Sequence, residues 1–245
     1  MEKERLDKLL AGTGTLSRKD VKEMVRRKRI TLNGETVTDA GQKIDISSDT
    51  VCVDGTPITL KKHIYIMLNK PAGIVSASNS KSETTVVDLV PEAFRRAGLF
   101  PAGRLDKDTT GFVLITDDGV FAHRILSPKN HIEKTYIATL QNPLGDAEIS
   151  VLERGLLLRD GTQFLPAQVK LVSEDARQVQ VKICEGKYHQ IKRMFSAVGN
   201  CVTALCRTHM GALELDSALP PGACRELTPS ELEQIALKPA EIITP

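Results

Sequence analysis

Residues 103 to 119 read GRLDKDTTGFVLITDDG, four Asp with one Lys and one Arg around an apolar run. Asp106 and Asp108 stand two apart, directly before a stretch with strand character. Two close carboxylates invite a cation. Asp106, Asp108, Gly111 and Asp117 even fall at positions one, three, six and twelve of an EF-hand calcium loop. Position five is Thr110, however, and the last ligand is Asp rather than a bidentate Glu. FVLIT also fills the second half of the loop with strand formers where ligands and a helix belong, so the calcium reading fails. A turn rich in Asp and Thr that bonds its own backbone explains Asp108, Thr109 and Thr110, with Asp117-Asp118-Gly119 as a helix entry. It leaves Arg104 and Asp106, on either side of Leu105, unexplained. At the end of an extended strand those two side chains share a face, which sets a cation for a phosphate beside a reactive carboxylate.

The elements around this turn read as α+β. From about residue 63, strand patterns appear at IYIMLNKPAG, FVLIT, KTYIATL, AQVKLV, QVQVKIC and CVTALC. Helix patterns appear at PEAFRRAG, GVFAHRIL, DAEISVLERG, YHQIKRMFSAVG and PSELEQIAL. They mingle without a regular βαβ rhythm, and no Gly-rich phosphate loop is present. This predicts a largely antiparallel sheet and excludes Rossmann-like and P-loop enzymes. The five cysteines form no CxxC pair, the pattern of reduced thiols rather than a disulfide framework. Cys201, Cys206 and His209 can be drawn as a metal cluster, but their spacing is irregular and a fourth ligand is missing. No metal is expected. No apolar run approaches the roughly 20 residues that cross a bilayer. The charged opening MEKERLDKLL is no secretory signal, so a cytoplasmic protein without membrane contact is expected.

The chain is 245 residues long with a net charge of only +2, but the charge is unevenly placed. The first 30 residues hold ten Lys or Arg against five Asp or Glu. Such an end reads as a basic docking module on a near-neutral body, with a solvated helix face as the plainer alternative. RLDKLLA places Leu6, Leu9 and Leu10 at helical spacing, and GTGTL breaks that helix. Ser17 with Asp20 forms an acidic capping box for SRKDVKEMVRRKR. That helix buries Val21, Met24 and Val25 and turns Arg18, Lys19, Lys22 and Arg26 to Arg29 outward. Two hairpins follow, signalled by Asn33-Gly34 and Asp54-Gly55.

This N-terminal stretch resembles the small alpha-L RNA-binding domain first described in a small-subunit ribosomal protein. The match lies in R-L-D-K-x-L at Arg5 to Leu10, Ser17-Arg18, and I-x-x-N-G at Ile30 to Gly34. The rest resembles the pseudouridine synthases that modify ribosomal RNA. The motifs are NKPAG with Lys70-Pro71, GRLD at Gly103 to Asp106, EKTY at Glu133 to Tyr136, and EGKYHQIKRMFSAVGN at Glu185 to Asn200. The wording DKDTTGF and YHQIKRMF is that of the branch acting on one uridine of 16S RNA; a 23S target is the alternative. Two departures are Phe112 in place of the usual Leu, and Lys192 where Arg is frequent, which removes a bidentate grip on Asp106. The resemblance predicts an alpha-L domain at 1–57, a linker at 58–62, and a synthase domain at 63–245 with a mixed, largely antiparallel sheet flanked by helices.

The implied reaction breaks the bond from uracil nitrogen to ribose, turns the base and rejoins it through carbon-5. Nothing is oxidised or lost, so no cofactor is expected. The resemblance assigns Asp106 as the catalytic residue and Lys192 as the cation that keeps it ionised. It places Tyr136 against the flipped base as a candidate to move a proton. Arg104 beside Asp106 can hold the phosphate of an extruded nucleotide, and extrusion itself costs about a few kcal/mol. The expected RNA contacts are Arg104, Lys70, Arg193 and Arg207 in the second domain and Arg5, Lys8, Arg18, Lys22 and Arg26 in the first. For each there is a plainer reading: Tyr136 as an ordinary strand aromatic, Lys192 and Arg193 as a solvated helix face, His189 as a hydrogen-bonding support. With 4% aromatics and no Trp, recognition should rest on folded RNA shape and one flipped base. The expected partner is 16S ribosomal RNA or a small-subunit assembly particle, met by a monomer. A ribosome-assembly protein with idle catalytic residues is the alternative from another class.

Overall fold

A computed structural model describes residues 3–14 and 16–236. The chain forms two compact units. The first runs to Ile64 and includes Val90–Leu99; the second comprises Tyr65–Leu89 and the chain from Phe100 onward.

In the first unit, β1 (Glu4–Arg5) leads into α1 (Leu6–Ala11), which is followed by α2 (Arg18–Arg26). Leu6, Leu9 and Leu10 meet Val21, Met24 and Val25, and both sets pack on Ile30, Ile44 and Val51. The capping box forms: Ser17 N–H donates to Asp20 Oδ2 at 2.8 Å, and Asp20 N–H to Ser17 Oγ at 3.1 Å. α2 stops at Arg26, earlier than its basic run. Lys28 turns the chain at φ 57°, and Arg29 pairs with Asp54. The small sheet comprises β2 (Ile30–Leu32), β3 (Glu35–Thr36), β5 (Val51–Val53) and β6 (Thr56–Ile58), in the order β3-β2-β5-β6. β4 (Lys43–Ile44) pairs with β1. Positive φ at Asn33-Gly34 and Asp54-Gly55 gives the two tight hairpins that those residue types favour. The helix expected over PEAFRRAG is absent. Only Glu92–Phe94 makes one 3₁₀ turn, because Pro91 precedes it and Arg95 is extended, and Glu92, Ala93 and Phe94 bury no apolar stripe to hold a longer helix.

The second unit is one mixed sheet with helices against it. Its strands are β7 (Tyr65–Lys70), β8 (Phe100–Pro101), β9 (Thr110–Thr116), β10 (Lys134–Leu140), β13 (Gln168–Leu171), β14 (Gln178–Ile183), β15 (Val202–Met210), β16 (Leu213–Glu214) and β17 (Cys224–Glu226). β11 (Leu156–Leu157) and β12 (Gln163–Phe164) pair separately. The helices are α3 (Gly119–Leu126), α4 (Asp146–Glu153), α5 (Gln190–Ala197) and α6 (Pro229–Ala236). Leu237, the last residue of the expected helix PSELEQIAL, lies outside the described residues. The main path runs β13-β14-β10-β15-β9-β7-β17, and only β15 with β9 is parallel. At that parallel contact, Gly111 lies opposite Arg207 with φ +99°, and a Cβ there would stand 2.2 Å from the Arg207 carbonyl oxygen. Only glycine lets the two strands approach so closely. Met67, Phe112 and Leu114 from the sheet and Phe121, Ala122 and Ile125 from α3 form a buried cluster below. Phe112, the departure from the usual Leu, is fully enclosed there.

Candidate active site

Lys70 ends β7 opposite Gly111, with none of its surface exposed. Its ammonium donates to three main-chain carbonyls: Pro71 at 3.1 Å, Lys107 at 3.0 Å and Thr109 at 2.8 Å. The turn from Asp106 to Thr109 is therefore wrapped around one buried cation. Burial lowers the pKa of Lys70 to about 8, with the charges of Asp108 and Asp106 pulling the other way. Ser76 braces the same turn from a second side: its Oγ donates to the Leu105 carbonyl at 3.0 Å and accepts the Leu105 N–H at 3.1 Å. An ion pair between Lys107 and Glu83 adds a third tie. Arg104, Leu105 and Asp106 do not end a strand as the sequence predicts. β8 stops at Pro101, and the three residues form a loop shaped by these ties. Arg104 and Asp106 nevertheless open on the same two cavities.

The opposite wall is the stretch EGKYHQIK. Glu185 is buried and accepts from Leu165 N–H at 2.8 Å and from the Gln190 amide at 2.7 Å, and Gln190 Oε1 accepts from Lys187 N–H. α5 begins only at Gln190; His189, at φ 48°, is left-handed and ends the irregular approach. Ile191, Met194 and Phe195 bury one side of α5 and aim Lys192 at the Asp turn. Lys192 Nζ stands 2.6 and 2.8 Å from the two oxygens of Asp108 and 3.4 Å from Asp106 Oδ2. His189 Nε2 stands 3.5 Å from Asp106 Oδ1. Lys192 is thus no solvated-face residue. Burial opposes its charge, yet the Asp108 hydrogen bond and both carboxylates hold its pKa above the ordinary lysine value. The Lys192 hydrogen bond in turn holds the Asp108 carboxyl below the usual range. Asp108, read from sequence as a turn former, is the tighter partner of the cation.

Tyr136 projects from β10, opposite Val181 of β14 and Arg207 of β15. It is buried, and it lines a narrow cavity of about 60 Å³ together with Asp106, Thr109, Ile183, Lys192 and Leu205. A wider groove of about 710 Å³ adjoins it, sharing Arg104, Asp106, Lys187 and His189. The arrangement offers an accessible carboxylate between two nitrogen groups, an aromatic wall, and a mixed lining in which Ile183, Ile191 and Leu205 supply the apolar part.

Two of the expected RNA contacts need correction. Lys70 is enclosed by its three carbonyls. Arg207 is 3% exposed, and its Nε donates to the Phe112 carbonyl at 2.7 Å; it fastens β15 to β9 and offers nothing to a phosphate. Others are reached by solvent but already paired: Arg5 with Asp7, Lys8 with Glu4, Arg26 with Glu23, and Arg193 with Asp160. Arg104, Arg18 and Lys22 are exposed and make no hydrogen bond or salt bridge to the described residues.

Residues 64–197 match the family model described as RNA pseudouridylate synthase, and residues 4–51 match the S4 domain. The chain belongs to the RNA pseudouridine synthase family. Over 230 residues it is 45% identical to an uncharacterized RNA pseudouridine synthase of Bacillus subtilis, covering 93% of this chain and 96% of that one. It is 40% identical over 234 residues to ribosomal small subunit pseudouridine synthase A of Escherichia coli K12, covering 94% and 99%. A crystal structure of a pseudouridylate synthase matches with a TM-score of 0.65 at 38% identity, over 95% of this chain and 99% of that one. The four synthase motifs read from the sequence converge here: NKPAG supplies the buried brace, GRLD the loop, EKTY the floor and EGKYHQIK the opposing wall. Missed at the residue level were Ser76, whose lone hydroxyl carries no pattern, and the bond between Asp108 and Lys192. A basic residue 84 positions downstream gives no local signal of that bond.

Proposed function

We propose that this synthase isomerises one uridine of small-subunit (16S) ribosomal RNA to pseudouridine, without a cofactor, with Asp106 as the catalytic carboxylate. The observation that carries the reading is Asp106 at the cavity rim, 3.4 Å from Lys192 and 3.5 Å from His189, above Tyr136. The flipped uracil enters the narrow cavity and lies on the Tyr136 ring. Asp106, with the Lys192 ammonium beside it, attacks or deprotonates the nucleotide as its N1–C1′ bond breaks. The base turns within the cavity, C5 bonds to C1′, the C5 proton leaves and N1 gains one. In this reading Tyr136, which lines the cavity with Asp106, carries that proton, and Arg104 holds the displaced phosphate. The choice of small-subunit RNA is supported by the name of the Escherichia coli relative and by the wording YHQIKRMF.

Pseudouridine mapping in ribosomal RNA from cells with and without the protein tests the target. Loss of a single 16S pseudouridine is expected; loss of one in 23S RNA would move the target, and no change would remove the reading. Asp106→Asn keeps the shape of the side chain but is neither a useful nucleophile nor a base. It should bind RNA and form no product, and activity within about tenfold of the parent would take Asp106 out of the mechanism.

A further inference from the structure

Tyr188 is the most exposed aromatic on the described surface, at 75%. Its ring lies on that of His189, with centroids 3.8 Å apart and planes 18° from parallel. The left-handed backbone of His189 accompanies the face-to-face stack of the two neighbouring rings. One face of Tyr188 is covered by His189; the other is open to water. The ring makes no hydrogen bond among the described residues and packs into no core, so its position has no folding role that the contacts reveal. It lines the wider groove, whose shared boundary with the narrow cavity includes Arg104, the exposed cation without a partner. Lys107 and Lys187 line the same groove, already paired with Glu83 and Glu185, which leaves Arg104 as the cation there without a salt bridge among the described residues.

An open aromatic face and a guanidinium without a salt bridge among the described residues, lining one groove, are the pair of groups by which proteins hold a single-stranded nucleotide: the ring takes the base, the cation takes the phosphate. We infer that the groove is a second nucleotide site, in which the base next to the target uridine in the RNA strand stacks on Tyr188 while Arg104 holds the phosphate between them. The inference rests on the isomerase reading of the neighbouring cavity. Since every base has a π-face, the site accepts any base and adds affinity rather than sequence choice. It also gives the extruded uridine a fixed neighbour. The stacked pair Tyr188-His189 then joins the flanking nucleotide to the imidazole that faces Asp106.

Tyr188→Ala removes the platform, and Tyr188→Phe keeps it. Because the ring is exposed, both variants should melt close to the parent. On ribosomal RNA, Tyr188→Ala should raise KM about five- to hundredfold, the size of one missing base stack, with a far smaller change in kcat. Tyr188→Phe should restore KM. RNA carrying an abasic residue beside the target should show the same rise with the parent and no further rise with Tyr188→Ala. A second arm needs no turnover: a short single-stranded RNA with 2-aminopurine next to a uridine should be quenched by the parent and by Tyr188→Phe, but not by Tyr188→Ala. Pseudouridine formed by Tyr188→Ala at the parent's KM would overturn the platform alone, as would an unchanged quench. A parent that forms no pseudouridine but whose quench still depends on Tyr188 would overturn the reaction and leave the platform standing.

Discussion

Asp106 and Asp108 are the same residue type two positions apart, and the fold gives them opposite surroundings. The Asp106 side chain is 28% exposed, at the cavity rim, with the nitrogens of Lys192 and His189 near but not in tight contact; Asp108 is 72% exposed and takes the short bonds of Lys192. The sequence announces that this turn carries chemistry, but not how one lysine divides itself between two carboxylates. That division depends on how α5 packs, through Ile191, Met194 and Phe195. Lys70 makes the same point in reverse. As a letter beside a proline it is one more cation for RNA; as an enclosed side chain it is the peg of the Asp106 turn. Lys70→Met should take the donor from the Pro71 and Thr109 carbonyls, while Lys107 keeps the Gly73 N–H, and cost roughly 2–4 kcal/mol at pH 7, measurable by urea unfolding. The pH dependence has a definite sign. Folded Lys70 has its pKa lowered to about 8 from the ordinary lysine value of 10.5, so between those values the unfolded chain binds more protons. The pH-dependent part of its contribution is therefore a gain present above about pH 10.5 and lost as the pH falls through 8, while the hydrogen bonds to the carbonyls persist below it. Lys134, also lowered to about 8, behaves alike. Lys70→Met should reduce the parent's stability change across that window in the direction given, and an unchanged profile would mean that Lys70 is not buried as an ammonium.

Elements were legible where a local signal sets their ends. GVFAHRIL is helical over the predicted residues because Asp118 caps it, accepting from Val120 and Phe121 N–H. Both hairpins follow from Asn-Gly and Asp-Gly. Where tertiary ties decide, the local pattern misleads: YHQIKRMFSAVG reads as a helix from its first residue, yet the bonds of Gln190 to Glu185 and Lys187 hold Tyr188 and His189 out of it. At α6 a signal was present and unused. Thr228 and Glu231 form a capping box, with Thr228 N–H donating to Glu231 Oε2 at 2.8 Å and Glu231 N–H to Thr228 Oγ1 at 3.3 Å. Glu231 also accepts from Arg225 of β17, and Arg225 is bound by Asp216, so one network joins helix to sheet edge. The Arg225 hydrogen bond lowers the Glu231 pKa to about 2. Its contribution to stability is present above about pH 4.5 and lost as the pH falls through 2. Glu231→Gln should cost roughly 1–2 kcal/mol at pH 7 and converge on the parent as the pH approaches 2. A difference that stays constant from neutral pH down to that value would assign the loss to packing instead of charge.

At the scale of the molecule, the basic N-terminal end of the sequence and the near-neutral remainder correspond to the S4 domain and the synthase domain that the family models match. What the letters conceal is which cations remain available. Among the first 30 residues, Arg5, Lys8, Arg26, Arg27 and Arg29 each have a carboxylate partner. Arg18, Lys19 and Lys22 are exposed on the first turns of α2 and have no such partner among the described residues. Self-paired cations have already given up part of their attraction for phosphate, so RNA affinity from this domain should draw most on the cations without a salt bridge, these three on α2 and the exposed Lys28 after it. Replacing Arg18, Lys19 and Lys22 together by Gln should weaken RNA binding and flatten its dependence on salt. The log-log slope should fall by about 0.7–0.9 for each phosphate that is no longer neutralised. Arg26→Gln should change the slope far less, since Glu23 already holds that guanidinium. Phosphate contacts position RNA without reading it, so the weakening should be similar across RNA sequences. Turnover of RNA already bound should stay near the parent's, because Asp106 belongs to the other unit. Binding measured at several salt concentrations decides the matter: if the triple variant keeps the parent's slope, α2 is a solvated face and recognition belongs to the synthase domain.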